Sequence, residues 1–83
     1  MNHQTKMKER IEVIAVFEKN RAQPYSFKWA GKKFLVEKVN LHYTQRSGDA
    51  ILTYYSVTAE GNYFKLVFDS NNMSWWVEEV YSE

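Results

Sequence analysis

Apolar and polar residues alternate with a period of two along most of the chain. Residues 10–19 are rich in β-branched side chains, which favours a strand over a helix. Residues 25–29 carry three rings at alternate positions, and successive strand residues point to opposite faces, so one face of this segment is wholly aromatic. The pattern predicts an all-β chain.

A first hairpin is predicted around residues 30–31, because the glycine there can adopt the positive φ that a two-residue turn needs. Closing this turn pairs Phe27 with Phe34 and Tyr25 with Val36. Two apolar cross-strand pairs of this kind stabilise a hairpin.

The third predicted strand changes parity partway along. Its apolar residues are first even-numbered and then odd-numbered: Phe34, Val36, Val39, Leu41 and Tyr43. A regular strand cannot place both sets on one face, so a β-bulge or sharp bend is predicted at residues 37–38. A three-residue loop with a glycine bulge within residues 46–49 would then place Leu41 and Tyr43 on the same face as Tyr55 and Val57.

Two later turns, at residues 61–62 and 70–71, are predicted to align the last three strands. The resulting apolar pairs are Ala59 with Phe64, Val57 with Leu66, Tyr55 with Phe68, Phe68 with Met73, Leu66 with Trp75, and Phe64 with Val77. Independent turns that agree on one apolar face are strong evidence for the arrangement.

The predicted fold is a six-stranded antiparallel meander, strongly curled or closed as a small barrel. Residues 1–9 are expected to form a flexible N-terminal tail, and residues 10–83 a single β domain. An 83-residue chain is near the lower end of the sizes that fold alone.

The same registers direct a second set of side chains outward: Tyr54, Tyr63, Lys65 and Trp76. Adjacent Trp75 and Trp76 cannot share a face of a strand, so Trp75 is expected in the core. With three Trp, six Tyr and five Phe, the chain has more rings than so small a core can readily hide. Outward rings beside a cation can stack on bases or anchor a protein partner. A covering layer, a homodimer interface or a small-ligand cleft are the alternatives.

Charge is distributed unevenly, although the net charge is only +1. Residues 1–33 have eight Lys or Arg and three Asp or Glu, whereas residues 34–83 have three and seven. Lys28, Lys32 and Lys33 cluster at the predicted tip of the first hairpin. A basic tip suits single-stranded nucleic acid, and exposed lysines at strand ends also discourage aggregation between sheet edges.

Few residues suggest catalysis or metal binding. The chain has no Cys and two histidines, His3 in the predicted tail and His42 on the predicted outward face. The three glycines are all assigned to turns, so no glycine-rich phosphate loop is predicted. We therefore expect a protein that is not an enzyme and has no catalytic residue, metal or cofactor.

The longest apolar run, residues 13–17, is too short to span a bilayer, so no membrane partner is expected. The charged N-terminus lacks the apolar stretch of a signal peptide. A cytoplasmic location is expected.

Residues 24–39 carry a motif of Phe27, Trp29, Gly31, Phe34, Val36 and Val39, after Pro24. With residues 54–57, Gly61, residues 63–64 and Trp75, it resembles a bacterial domain family of unknown function. Tyr43 stands where that family usually has Trp, and Ala30 where it often has Arg. Members resemble stand-alone small proteins or C-terminal appendages, some on inactive relatives of Y-family translesion polymerases. The resemblance implies an accessory role in DNA transactions.

The chain is thus expected to be a non-enzymatic binding module that uses its outward aromatic face and basic hairpin tip. Single-stranded nucleic acid or a nucleic-acid-processing protein is the expected partner. The alternatives are a structural homodimer through the same face and a small-ligand-binding barrel with a hollow interior. In a filled interior, Phe64, Leu66, Phe68 and Trp75 would occupy the core.

Overall fold

The computed structural model describes residues 3–82 and shows an all-β chain with one seven-stranded antiparallel sheet. The strands are β1 (His3–Glu18), β2 (Arg21–Trp29), β3 (Lys32–Leu35), β4 (Lys38–Ser47), β5 (Ala50–Ala59), β6 (Asn62–Asp69) and β7 (Ser74–Ser82). Met1 and Asn2 of the predicted tail, and Glu83 of the predicted domain, lie outside the described residues. Within the described range no helix is long and apolar enough to cross a membrane.

The strand order across the sheet is β3-β2-β1-β7-β6-β5-β4. Strands that follow each other in the chain are paired, except for β3 and β4, and β1 also pairs with β7. β3 and β4 therefore lie at opposite edges of the sheet although only residues 36–37 separate them. So short a connection requires the sheet to curl strongly, which confirms the predicted curled meander. The sheet is not closed.

The third predicted strand is broken at residues 36–37, which gives seven strands instead of six. The Val36 N–H donates to the Tyr25 carbonyl on β2 at 2.9 Å, and the Glu37 N–H donates to the Thr58 carbonyl on β5 at 2.8 Å. The chain thus leaves the ladder with β2 and joins the ladder with β5 at this point. The sequence located the bend to within a residue, and the change of ladder explains it.

β1 begins at His3, so residues 3–9 belong to a strand and the prediction of a tail there was wrong. This part of β1 pairs with β7, with a register shift between Lys6 and Glu9. The Gln4 side-chain amide also donates to the Glu79 carboxylate at 2.7 Å. From Glu12 onward β1 pairs with β2, so one long strand joins the two parts of the sheet.

The inner face of the curled sheet is filled by a buried apolar cluster. Its members are Ile11, Ala22, Phe27, Phe34, Tyr55, Val57, Ala59, Phe64, Leu66, Phe68, Trp75, Val77 and Val80. The Phe27 and Phe34 rings stack with their centroids 5.3 Å apart, as expected for the pair predicted across the first hairpin. Phe64 meets the Phe27 ring edge-on at 4.9 Å. These contacts link β2 and β3 to β6 through the interior of the sheet.

The turn between β4 and β5 differs from the predicted three-residue loop. Ser47 pairs with Ala50, so the turn contains only two residues. The extra residue lies instead in a bulge between Val39 and Leu41. Val39 therefore faces the core, opposite Val57, whereas Leu41 remains exposed.

The same register corrects the positions of three side chains on β4 and β5. Tyr43 pairs with Tyr54 on the outer face, whereas the prediction placed it on the core face with Tyr55 and Val57. His42, predicted to face outward beside Tyr54, instead lies opposite Tyr55, with ring centroids 6.5 Å apart. The two-residue turn places Leu41 and Tyr43 on the outer face, and the bulge returns only Val39, which precedes it, to the core face. The predicted three-residue loop would have placed all three residues on the core face, so the prediction for Leu41 and Tyr43 was wrong.

The last two hairpins have different partners from those predicted but the same faces. Tyr55 pairs with Leu66, and Phe68 pairs with Trp75. The first of these turns consists of Glu60 and Gly61, both with positive φ, as a two-residue hairpin turn requires. Near both turns the register differs from the predicted one by two positions, which leaves the side chains there on their predicted faces. Beyond the bulge between Lys65 and Leu66 the difference is three positions, so Phe64 pairs with Val80 and not with Val77.

Candidate nucleic-acid interface

The outer face of the sheet carries aromatic residues where the alternation predicted them. Trp75 is 7% exposed and packs in the core, whereas Trp76 points the other way and is half-buried. Tyr54 and Trp76 both pair with Val67, which lies between them on β6. This arrangement confirms the predicted orientation of strands β5, β6 and β7.

One row of side chains crosses four strands on this face. The row, called the aromatic row below, consists of Tyr43, Tyr54, Val67 and Trp76. The rings of Tyr43 and Tyr54 are nearly parallel, at 8°, with centroids 4.8 Å apart. Val67 is fully buried although it lies outside the core cluster, so its neighbours on the outer face cover it. The row is a packed platform, and Tyr43 is a member that the sequence analysis placed elsewhere.

Lys65 lies beside the aromatic row, with its ammonium nitrogen 5.5 Å from the centroid of the Tyr54 ring. The same nitrogen is 3.6 Å from the Glu78 carboxylate and 3.8 Å from that of Glu79. Burial lowers the pKa of Lys65, but the Tyr43 hydroxyl and the two carboxylates outweigh it, so the pKa is raised. Lys65 is therefore charged, yet the carboxylates compensate much of that charge.

The hydroxyl of Tyr54 is neutral at physiological pH. The pKa of Tyr54 is raised by burial, and further by the charge of Glu78 and by Tyr43, while Lys65 opposes the shift. A neutral phenol keeps its ring available for stacking without repelling a phosphate.

Tyr63 is on the same outer face but outside the aromatic row. It pairs with Tyr81 on β7, and the two ring centroids are 6.1 Å apart. Between these rings and Tyr43 lies a groove of about 390 Å³. Its lining also includes Leu41, Ser56, Lys65 and Glu79. The predicted residues Tyr54, Lys65 and Tyr63 are thus brought together around one groove and its rim.

A basic strip that the sequence analysis missed borders the aromatic row. It consists of Lys6, Lys8 and Arg10, which are all exposed on β1. Arg10 pairs with Trp76, and the Lys8 ammonium nitrogen lies 4.9 Å from the centroid of the Trp76 ring. The spacing of the three cations at alternate positions is a strand signal that could have revealed the strip. The assignment of residues 1–9 to a tail obscured it.

The predicted basic tip of the first hairpin is divided between the two faces of the sheet. Lys32 makes an ion pair with Glu60 at 2.7 Å, and its ammonium nitrogen lies 5.3 Å from the Phe34 ring centroid. Lys28 and Lys33 pair with each other across the strands. The tip therefore contributes two cations to the outer face and not three.

Lys28 connects these cations to the basic strip. On β1 its partner is Glu12, two residues from Arg10 on the same face. Lys28 and Arg10 line a common open groove of about 880 Å³ together with Trp29 and with the carboxylates of Glu9 and Glu12. The cations of β1 and of the first hairpin thus border one continuous surface.

The interior of the sheet is occupied by protein side chains. Phe64, Leu66, Phe68 and Trp75, which were expected to distinguish a filled core from a hollow one, are all buried. Among residues 3–82, no group of three or more His, Asp or Glu side chains could hold a metal ion.

Comparisons of the chain with protein-family models, with curated proteins and with solved structures find no match. The family resemblance around residues 24–39 stays a prediction, and the candidate interface is defined by the geometry of the outer face.

Proposed function

We propose that the protein is a non-enzymatic module that binds single-stranded nucleic acid on its outer face. The observation that carries this proposal is the continuity of the aromatic row with the basic strip, since Arg10 pairs with Trp76 and Lys8 covers its ring. Base stacking on aromatic side chains combined with a cationic track for the backbone is the usual means of binding single strands without sequence preference.

The layout supports a particular path for the ligand. Tyr54 on β5 and Trp76 on β7 are two strands apart, which corresponds to about 10 Å across a sheet. A nucleic-acid strand that stacks on both rings therefore runs across the β-strands of the sheet and reaches the basic strip at β1. Beyond Arg10 and the Glu12 carboxylate, Lys28 and Lys33 add two further cations in the same direction. The carboxylates near Lys65 favour phosphate contacts on the β1 side of the row.

A titration with oligothymidylate, followed by tryptophan fluorescence at about 50 and 200 mM salt, tests the electrostatic part of the proposal. The variant Lys6→Gln/Lys8→Gln/Arg10→Gln removes the basic strip. The matched control, Lys19→Gln/Lys38→Gln/Arg46→Gln, removes three charges outside the strip and the row. For single strands the slope of log K against log salt is about −0.7 per phosphate neutralised. Loss of the three basic-strip cations should therefore reduce the magnitude of this slope by about 2, whereas the control variant should keep the wild-type slope. Absence of binding by the wild type at low salt would refute the proposal.

Stacking is tested by Tyr43→Ala and Trp76→Ala, each checked for folding by circular dichroism. Stacking of one base contributes about 1–3 kcal/mol, so affinity should fall by about 5- to 150-fold in each variant. Tyr25→Ala, which removes an exposed ring outside the row, is the control and should bind like the wild type. Equal affinities in all three variants would contradict stacking on the row.

A homodimer that uses the same face is the second candidate. It is favoured by Leu41, which is 58% exposed beside the groove of Tyr43 and Tyr63. Light scattering separates the two candidates: a wild-type dimer that becomes monomeric on Leu41→Ser or Trp76→Ala supports self-association. If the wild type and the variants are all monomeric, the result supports an external ligand. The family resemblance favours a ligand or protein partner involved in nucleic-acid transactions.

A further inference from the structure

Strand β4 has an open edge beyond the break at residues 36–37. It pairs with β5 on one side, and no strand among the described residues pairs with its other side. Because Ser47 and Ala50 flank a two-residue turn, these two residues exchange backbone hydrogen bonds across the hairpin. Hydrogen bonding to β5 alternates from there, so His42, Thr44 and Arg46 direct their N–H and C=O groups toward the open side.

The curled sheet has an opening between the free edge of β4 and residues 21–25 of β2, and these two edges are called its lips below. The lip on β2 is protected against strand pairing. The Ala22 carbonyl accepts a hydrogen bond from the Tyr55 hydroxyl, and Pro24 has no N–H to offer. β4 is protected only near its start, by Lys38 and by the bulge between Val39 and Leu41, and residues 38–48 contain no proline and no carboxylate. From His42 to Arg46 the edge has neither a proline nor a bulge, and this part of it is a template for an added strand.

The opening between the two lips is cationic. A cavity of about 380 Å³ lies there, with Lys19 and Arg21 on one side and Thr44 on the other. Tyr55 and Phe68 are also in its lining. Arg46 pairs with Ile51 two positions beyond the pair of Thr44 and Thr53, so its side chain lies on the same face of the strand as Thr44. A strand added here would meet three cations on that side.

The other side of the edge is apolar and aromatic. Leu41 and Tyr43, which alternate with the edge-directed residues, are exposed on the outer face. Successive side chains of an added strand would therefore meet the cationic opening and the apolar outer face in turn.

We infer that the free edge of β4 binds an extended acidic peptide as an added strand, with its carboxylates toward Lys19, Arg21 and Arg46. Apolar residues at the alternate positions pack beside Leu41 and Tyr43. A second copy of β4 fits this edge less well, because residues 38–48 offer no carboxylate to Arg46. Main-chain hydrogen bonds supply the affinity in this mode of recognition, and the side-chain alternation supplies the specificity.

The test uses two capped heptapeptides, one alternating valine with glutamate and the other valine with lysine, titrated into the full chain by calorimetry. Thr44→Pro removes an N–H that faces the open side and leaves the hydrogen bonds between β4 and β5 in place. Thr44→Val keeps that N–H and is its control. Arg46→Glu reverses the charge of the edge, and Lys33→Glu makes the same change on β3.

We expect the glutamate peptide alone to bind the wild type. Thr44→Pro should weaken this binding by about tenfold or more, the equivalent of one lost hydrogen bond, whereas Thr44→Val should not. Arg46→Glu should weaken binding of the glutamate peptide and strengthen binding of the lysine peptide, and Lys33→Glu should do neither. If Thr44→Pro does not fold, the exchange of peptide preference in Arg46→Glu decides the question.

Four results would overturn the inference. The first is a wild type that binds neither peptide or binds both equally, and the second is unchanged binding of the glutamate peptide to folded Thr44→Pro. The third is a wild-type dimer that Thr44→Pro converts to monomer, which would assign the edge to a second copy. The fourth is oligothymidylate binding that Thr44→Pro abolishes, which would assign the edge to nucleic acid. Loss of nucleic-acid binding in the basic-strip variant alone leaves the peptide site unaffected.

Discussion

The hydroxyl of Tyr55 joins β5 to β2 across the opening of the sheet, and its removal should lower the free energy of unfolding. Tyr55 is 1% exposed, and its hydroxyl donates a hydrogen bond to the Ala22 carbonyl, joining β5 to β2 where no ladder connects them. Tyr55→Phe deletes this bond and keeps the ring, which packs on Trp75 with centroids 5.5 Å apart. The variant therefore isolates the hydrogen bond from the aromatic packing.

The expected loss follows from the burial of both partners. A typical hydrogen bond contributes about 0.5–1.5 kcal/mol net, and a buried group left without a partner costs about 1–3 kcal/mol. Ala22 is itself buried, so we expect the free energy of unfolding to fall by about 1–3 kcal/mol. For a domain of this size each kcal/mol lowers the melting temperature by about 4–8 °C.

The effect should depend on pH in one direction. Burial raises the pKa of Tyr55 above its ordinary value of 10.0, and the nearby charge of Arg21 only partly opposes the shift. As pH rises through 10.0, the unfolded chain loses this proton while the folded chain keeps it, so folding stability falls with increasing pH. The phenylalanine variant has no such proton. The advantage of the wild type should therefore be largest below pH 10.0 and shrink above it.

Urea denaturation followed by tryptophan fluorescence and far-UV circular dichroism, at neutral and alkaline pH, measures both effects. Tyr25→Phe is the matched control, because Tyr25 is 58% exposed and should lose little stability. A Tyr55→Phe variant as stable as the wild type at neutral pH would refute the role given to this bond. A stability difference that stays constant into alkaline solution would refute the raised pKa.

Three further predictions concern the core, a turn and a surface ion pair. Leu66→Ala should cost about 2–5 kcal/mol in urea denaturation, since Leu66 is 0% exposed, whereas Leu35→Ala at the exposed edge should change stability by about 0.5 kcal/mol or less. Gly61→Ala should lower stability by about 1–2 kcal/mol because φ is +77°, although no atom lies within 4 Å of an added Cβ. Lys32→Gln should lower stability by at most about 1 kcal/mol, with a smaller effect in high salt, because its pair with Glu60 is exposed.

The faces of the strands could be predicted from the sequence because alternation tolerates some errors of register. Both late hairpins have registers two positions from the predicted ones, yet Trp75 is still in the core and Trp76 on the outer face. Only an odd shift exchanges the faces. One occurred beyond the bulge between Lys65 and Leu66, where Phe64 pairs with Val80 instead of Val77. Another occurred at Tyr43, because a bulge and a longer loop change parity equally well in a sequence. Local pattern alone could not decide between them.

Other features depend on pairings between distant parts of the chain. The polar N-terminal residues resemble a tail in composition, and only pairing with β7 makes Lys8 and Arg10 part of a surface. The open edge of β4 could likewise not be predicted from its own sequence, since a strand in the middle of a meander is expected to have two neighbours. The lack of a neighbour follows from how far the sheet curls, which local alternation does not specify.

The break at residues 36–37 links the two proposed surfaces. Hydrogen bonds from Val36 to Tyr25 and from Glu37 to Thr58 hold this corner to both ladders, and beyond it β4 follows β5 alone. The same departure leaves one backbone edge of β4 without a partner, and the two-residue turn to β5 places Tyr43 on the outer face beside Tyr54. The peptide-binding edge and the end of the aromatic row therefore lie on the same strand. A peptide added to β4 would lie directly beside Tyr43, so oligothymidylate and the glutamate peptide should compete in the wild type, and Tyr43→Ala should weaken the binding of both.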